Sequence, residues 1–181
     1  MFLRVISGSA RGLKLESLDG LSTRPTLDRV KEAIFSMLFD KTADASVLDL
    51  FAGSGAMGIE ALSRGAAECV FVDNARDAAA VVGRNLAKAR FEARADVRMC
   101  AFDSFLKMND KKFDLVFLDP PYRSDYLKKS LSLLHDRHLL TDGAVVVAEY
   151  DKSIPPDIPA GFEVVRRRSY GRVSVNILEE T

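Results

Sequence analysis

An α/β, doubly wound fold follows from three features of this 181-residue chain. Short β-branched and aromatic runs alternate with helical apolar stripes along most of its length. One apolar run, residues 47–51, breaks into a glycine loop and resumes as a helical pattern. Another, residues 113–118, runs straight into Asp119-Pro120-Pro121-Tyr122. Doubly wound sheets bind ligands beyond the carboxyl ends of neighbouring strands, so the loop and the tetrapeptide are expected to face each other across one cleft.

The length suits a single domain spanning 1–181, with 1–24 as an N-terminal hairpin extension and 25–181 as the core. With 26 basic and 26 acidic residues, no global field announces a nucleic-acid partner, and any basic surface must be local. Cys69 and Cys100 lie in apolar runs without metal spacing and read as buried thiols in a reducing compartment. No signal-peptide pattern and no bilayer-length apolar run is present, so the expected location is cytoplasmic.

In chain order, residues 2–7 and 13–18 read as strands around a small-residue turn at 8–12. Arg4, Arg11 and Lys14 make this hairpin basic, which fits either a solvated surface or a nucleic-acid-facing appendage. Pro25 pushes Arg24 towards an extended conformation. Thr26 can cap a helix that runs to about Phe39, its stripe being Leu27, Val30, Ala33, Ile34, Met37 and Leu38. Arg24 and Thr26 at this helix mouth could hold an anionic ligand group, or simply cap it.

Gly53, Gly55 and Gly58 have the spacing G-x-G-x-x-G, and Asp73 follows at the end of the next apolar run. A carboxylate there can accept from ribose hydroxyls. Asp49 lies inside the first strand, where a pyrophosphate would feel its negative charge. A ligand with an ammonium group and a ribose but no phosphate, S-adenosylmethionine (SAM), suits the pair better. The alternative is that Asp49 ties down the loop backbone. Arg64-Gly65 ends the helix after the loop, residues 69–72 form the second strand, and a helix over 75–90 turns Ala78, Val81, Val82, Leu86 and Ala89 inward. A third strand over 97–100 ends before Asp103, which could accept from an adenine amino group or cap the next helix.

After the strand over 113–118, a helix over 127–134 exits at Leu139-Leu140, and Thr141-Asp142-Gly143 turns into a strand over 144–150. His135 and His138 have a possible metal spacing but no further ligands, and read as surface residues. A proline-rich loop over 154–161 precedes a closing hairpin, residues 162–168 and 173–178, in which alternation sends Arg167 to the opposite face from Arg166 and Arg168.

The tetrapeptide supplies what methylation of an exocyclic amine needs. The nitrogen lone pair is delocalised into the ring, so a site must accept hydrogen bonds from both N–H groups and aim the nitrogen. Asp119 offers a carboxylate, Pro120 a backbone carbonyl stiffened by Pro121, and Tyr122 a ring for stacking a base.

These segments together resemble the RsmD-type 16S ribosomal RNA guanine-N2 methyltransferases. The matching stretches are RVISGSARGLKL, TRPTLDRVKEAIFSML, VLDLFAGSGAMGIEALSRGA, FVD, DPPY and SYGRVSVNIL, which cover nearly the whole chain. The glycine loop and DPPY are shared with DNA and protein amino-methyltransferases; the opening hairpin and the TRPT segment narrow the resemblance. It implies a class I SAM-dependent (Rossmann-like) three-layer sandwich with a seven-stranded, mostly parallel sheet and an antiparallel last strand. It implies methyl transfer to N2 of a guanine, position 966 in the family, within the small ribosomal subunit, by a monomer using SAM and no metal. By carry-over, Asp73 binds the ribose and Gly53 and Gly55 line the methionine part, with Asp49, Ala52 and Ser54 also expected to bind the cofactor. Asn74, Phe102 and Asp103 lie at the adenine, and Arg24 and Thr26 near the carboxylate. Asp119, Pro120, Pro121 and Tyr122 hold the base, and Arg4, Arg11, Lys14 and Arg123 meet RNA. A DNA or protein amino-methyltransferase is the alternative.

Overall fold

The computed structural model describes residues 3–18, 25–122 and 124–181, with the backbone alone for 25–27. Its centre is one seven-stranded sheet: β1 (Ser46–Asp49), β2 (Glu68–Asp73), β3 (Ala95–Met99), β4 (Phe113–Leu118), β5 (Leu140–Asp151), β6 (Phe162–Tyr170) and β7 (Val173–Glu180). The order is β3-β2-β1-β4-β5-β7-β6. β1 to β5 pair in parallel, while β7 pairs antiparallel with both β5 and β6. This is the class I methyltransferase arrangement that the sequence predicts, and its antiparallel strand is β7.

Alternation along the buried strands feeds two cores. Val47, Phe71, Leu115 and Val147 face α1 (Pro25–Leu38), α2 (Ala56–Ser63) and α3 (Arg76–Ala89), along with hairpin residues Leu3, Val5 and Leu15. Leu48, Val70, Val116 and Val146 face α4 (Phe102–Met108) and α5 (Tyr126–Asp136). Two helical layers sandwich the sheet, and β1 and β4 are paired at its middle with Asp49 opposite Phe117.

The N-terminal segment folds back on itself, with Val5 N donating to Leu13 O and Leu15 N to Leu3 O, but Arg4 and Lys14 form a single bridge instead of the two expected strands, and the segment is not a free appendage. Its backbone is stapled to α2. The fully buried Glu60 accepts from Ile6 N (2.8 Å) and Ser7 N (3.0 Å), and also pairs with Arg64 (2.8 Å) and the buried Lys31 (3.2 Å). Burial pulls the Lys31 ammonium below its ordinary range, against the opposing pull of Glu60. Ser63 Oγ accepts from Ala10 N and donates to Ser7 O. Sequence reading missed this because Glu60 and Ser63 look like ordinary polar positions on a short helix.

Several expectations need correction. α1 begins at Pro25, so the Thr26 backbone lies inside the helix and cannot be its N-cap; Pro suits a first helical position because its missing N–H would be unpaired there anyway. β3 spans Ala95–Met99, shifted earlier than expected because a 3₁₀ turn over Glu92–Arg94 brings the chain onto β2. Asp103 is in the first turn of α4, whose N-cap is Ala101. Thr141-Asp142-Gly143 is not a turn before β5 but a bulge inside it: the register with β4 jumps between Phe113↔Leu140 and Leu115↔Val145, and Gly143 has φ +74°. Ala89 is half-buried, and so is Cys100, which lies just beyond β3 at the open edge of the sheet. His135 pairs with Glu180 (2.7 Å) and meets Phe162 edge-on, tying α5 to the closing hairpin.

Candidate active site

The glycine loop leaves β1 at its carboxyl end. Gly55 is the N-cap of α2 at φ +78°, a left-handed conformation that glycine adopts without a Cβ clash. Gly58 serves packing: a Cβ there would stand 2.3 Å from the Phe71 ring and 2.6 Å from Cys69 Sγ, so α2 lies directly on β2. Asp49 is buried and its Oδ2 accepts from Gly58 N (3.0 Å). It therefore ties strand, loop and helix together. Desolvation pushes its carboxyl up to about 7, with the Gly58 hydrogen bond opposing and the charges of Asp119 and Asp73 adding.

Asp73, at the end of β2, accepts from Gly53 N (2.9 Å) through Oδ2 and from Ala75 N (2.9 Å) through Oδ1. Each oxygen keeps a further lone pair, and the residue lines the cleft. Asn85 on α3 braces the same loop. It is fully buried, donates to Ser54 O (2.9 Å) and Glu16 O (3.0 Å), and accepts from Glu16 N (2.7 Å). Arg84 and Lys88 grip the Glu16 carboxylate from outside and hold it below the usual carboxylate range, Lys88 first.

A cleft of about 650 Å³ opens over the carboxyl ends of β1, β2, β3 and β4. It brings together Gly53, Asp73, Asn74, Phe102, Asp103, Asp119, Pro120, Pro121 and Tyr122 from the predicted set. Asp49, Ala52, Ser54 and Gly55 stand behind its wall and shape the loop rather than line it. Arg24, Arg123 and the Thr26 side chain lie outside the described residues. Arg4, half-exposed, pairs with Asp28 (3.3 Å), and Lys14 is exposed opposite it. Arg11 is exposed at the hairpin turn, which abuts the carboxyl end of α2, the end away from the cleft.

The adenine-side expectation meets an aromatic cluster that the sequence did not reveal. Phe51, Phe102 and Tyr126 lie within 4.8–6.3 Å of one another, with Phe51 and Tyr126 stacked. Tyr126 is the first residue of α5, far in sequence from the other two, so no local pattern announced it. Asp103 pairs with Lys107 (3.2 Å) at the cleft rim, and that hydrogen bond, aided by the Ser104 N–H, holds it below the usual carboxylate range.

On the other side of the cleft the carboxylates are unengaged. Asp119 can be reached from the cleft mouth but is walled by protein on its other sides, and loss of solvent raises its carboxyl. No donor among the described residues hydrogen-bonds it. Glu149 on β5 sits beside it, because Leu118 pairs with Ala148 one residue earlier. Burial and the Asp119 charge push Glu149 well above the ordinary range. Tyr122 is 44% exposed over this pair, its hydroxyl raised to about 12 by burial and by Asp119, Glu149 and Asp151. Glu149 was also missed; its signal is a single charge closing the apolar run Ala144-Val145-Val146-Val147-Ala148.

Residues 3–179 match the family described as Conserved hypothetical protein 95. The chain belongs to this family, that of the RsmD-type proteins. Its relatives include YlbH of Bacillus subtilis, 39% identical over 98% of this chain and 99% of that one. Ribosomal RNA small subunit methyltransferase D of Escherichia coli is 36% identical over 98% of this chain and 89% of the relative. The solved structure of yhhF from Escherichia coli superposes with a TM-score of 0.89 at 34% identity, covering 99% of this chain and 98% of that one. The family likeness thus runs through the hairpin, the loop, the tetrapeptide and the closing strands alike. No helix among the described residues is long and apolar enough to cross a membrane.

Proposed function

We propose that this protein transfers a methyl group from SAM to the exocyclic N2 of a guanine in 16S ribosomal RNA of the small subunit, at the family's position 966, acting as a cytoplasmic monomer. One observation carries the reading: a loop frame built around Asp73 and an unengaged Asp119 in DPPY share a single cleft. The naming of the Escherichia coli relative as a ribosomal RNA small subunit methyltransferase supports the substrate class.

The donor set fits SAM. Asp73 keeps acceptor capacity for ribose hydroxyls beyond its two backbone N–H groups. Asp49, Asp73, Asp103 and Asp119 make the cleft and its wall acidic, which suits a cationic ligand and opposes a pyrophosphate. Asn74, Phe102 and Asp103 are the adenine-side residues, and Arg24 and Thr26 the carboxylate-side pair in this proposal. When bound, SAM supplies an electrophilic methyl on a sulfonium sulfur and leaves as the thioether S-adenosylhomocysteine.

The chain's own residues do the rest. The guanine leaves its stack and Tyr122 stacks on it. Asp119 and the Pro120 carbonyl accept the two amino hydrogens, turning the nitrogen towards the methyl. As the N–C bond forms and the C–S bond breaks, the nitrogen becomes cationic, and the nearby carboxylate is worth more there than in the ground state. The surplus amino proton then passes to Asp119, whose raised carboxyl is suited to hold it. Arg4, Arg11, Lys14 and Arg123 are the proposed contacts to RNA phosphates.

Incubation with labelled SAM and small subunits lacking the modification, followed by mapping of the methylated base, tests the reading. Label at guanine N2 of one 16S position is the expected result. Label on DNA, on protein or on no substrate overturns it.

A further inference from the structure

We infer that Glu149 reads the Watson–Crick edge of the target base, accepting a hydrogen bond from N1–H, and thereby makes this a guanine site. This rests on the guanine-N2 reading above and deepens it. Adjoining the main cleft at the DPPY segment is a smaller cavity of about 130 Å³, walled by Pro120, Pro121, Tyr122, Tyr150 and Pro155, with Glu149 in its lining. Pro120, Pro121 and Tyr122 therefore line both spaces, with Asp119 just beyond β4 in the first and Glu149 on the neighbouring β5 in the second.

The other polar groups of the cavity are already engaged. Asp151 accepts from Ser153 N (2.8 Å) and Ser153 Oγ (2.6 Å) and pairs with Arg172 (3.1 Å). The Tyr150 hydroxyl donates to Asn176 Oδ1 (3.2 Å). Ser124 Oγ donates to Pro121 O (2.7 Å). Among these groups Glu149, half-buried, has no donor among the described residues. A carboxylate partly withdrawn from water without a donor carries a desolvation cost, and a ligand that supplies the donor offsets it.

The ligand's chemistry follows from counting acceptors. Asp119, the Pro120 carbonyl and Glu149 offer three acceptors along the DPPY wall. A guanine edge presents three adjacent donors, N1–H and the two N2–H. Adenine and cytosine present a ring-nitrogen acceptor beside their amine. Against an acceptor-only carboxylate, that ring nitrogen would meet lone pair with lone pair. Asp119 and Pro120 would serve any exocyclic amine; Glu149 is the group that requires the donor next to it. Sites built to hydrogen-bond a polar group reject analogues lacking it strongly, because the site's own polar group is left unpaired.

The test replaces the target guanine with 2-aminopurine, which keeps the C2 amine but has an acceptor at N1. Single-turnover methyl transfer is measured on small subunits assembled with either base, for the wild-type protein and for Glu149→Gln, whose amide can donate to that acceptor. Wild type should favour guanine by about 10²-fold or more. Glu149→Gln, whose Oε1 can still accept from N1–H while its NH₂ can donate to the 2-aminopurine N1, should raise the 2-aminopurine rate and bring the two bases to within about tenfold, with SAM affinity by calorimetry unchanged. Glu149→Ala, carried in parallel, should also collapse the ratio, so one poorly folding variant does not decide the matter. A guanine preference that is the same in wild type and variants overturns the role of Glu149. A wild type that methylates neither base overturns the guanine-N2 reading itself, a different result from an active wild type with an unaltered ratio.

Discussion

The two halves of the cleft are built in opposite ways. Over β1 and β2, every buried polar group has a protein partner: Asp49 holds Gly58, Asp73 holds Gly53 and Ala75, and Asn85 holds Ser54 and Glu16. Over β4 and β5, Asp119 and Glu149 have no hydrogen-bond donor among the described residues; loss of solvent raises both carboxyls, and the Asp119 charge raises Glu149 further. The first half is finished before any ligand arrives. The second has two neighbouring acceptors without donors among the described residues, which the proposed N–H-rich substrate would supply. Preorganisation of the frame and unmet demand in the amine site are complementary, since interactions completed only with the reacting group raise the chemical rate.

The comparison breaks most severely at Asn85. Asn85→Ala leaves the Glu16 N–H and two carbonyls without their partner, at about 1–3 kcal/mol for each buried group left unpaired. Urea denaturation should show a loss of about 3 kcal/mol, with SAM affinity falling too because Ser54 is freed. Wild-type stability in this variant would mean that the loop frame is held elsewhere.

Next in size is Asp73→Ala, expected to weaken SAM binding by about 1–3 kcal/mol through lost bonds to a charged acceptor. Calorimetry decides it; unaltered affinity removes Asp73 from the cofactor site.

A pH scan separates burial from ligand demand. Asp49 is pushed up to about 7 in the folded chain, whereas the unfolded chain releases that proton near 4. A raised carboxyl contributes stability that is present below its unfolded pKa and lost as pH rises to its folded one. Exposed pairs such as Glu16, Asp103 and Asp125 are held low and have finished ionising below this window. The ligand-free melting temperature should therefore fall between about pH 5 and 7, Asp119 and Glu149 adding to the fall because they too are raised, and Asp49→Asn should lessen it. An equal slope in that variant would contradict the burial argument.

The smallest expected effect lies outside both halves. Replacing Arg11 and Lys14 with Ala should lower the salt dependence of RNA binding by about two phosphate contacts and leave SAM affinity alone. A salt slope equal to wild type would remove the hairpin from the RNA surface, leaving it the structural role its staples to Glu60 and Ser63 already give it.

What was legible in the sequence divides along the same lines. The strand-loop-helix at 46–63, the carboxylate of Asp73 and the strand ending at DPPY are local patterns, with each signal carried by a few consecutive residues, and the structure places them at one edge. The closing hairpin and the opposed face of Arg167 followed from simple alternation; Arg167 indeed turns to Asn176 (3.0 Å) while Arg166 reaches Met37 O. Asn85, Glu60, Tyr126 and Glu149 were not legible, because each matters through partners 24 or more residues away and its own neighbourhood reads as an ordinary helix or strand. The bulge at Gly143 was mistaken for a turn because glycine beside Asp signals both equally.

The central claim is that Asp119 serves the reacting amine and not the fold. Asp119→Asn, measured for single-turnover methyl transfer to small subunits and for melting temperature at neutral pH, tests it most directly. The variant should melt at or above the wild-type temperature, since a poorly solvated charge beside Glu149 is removed, while methyl transfer falls by about 10²-fold or more and SAM affinity holds. A variant that methylates at the wild-type rate, or that loses activity only in step with lost stability, would contradict it.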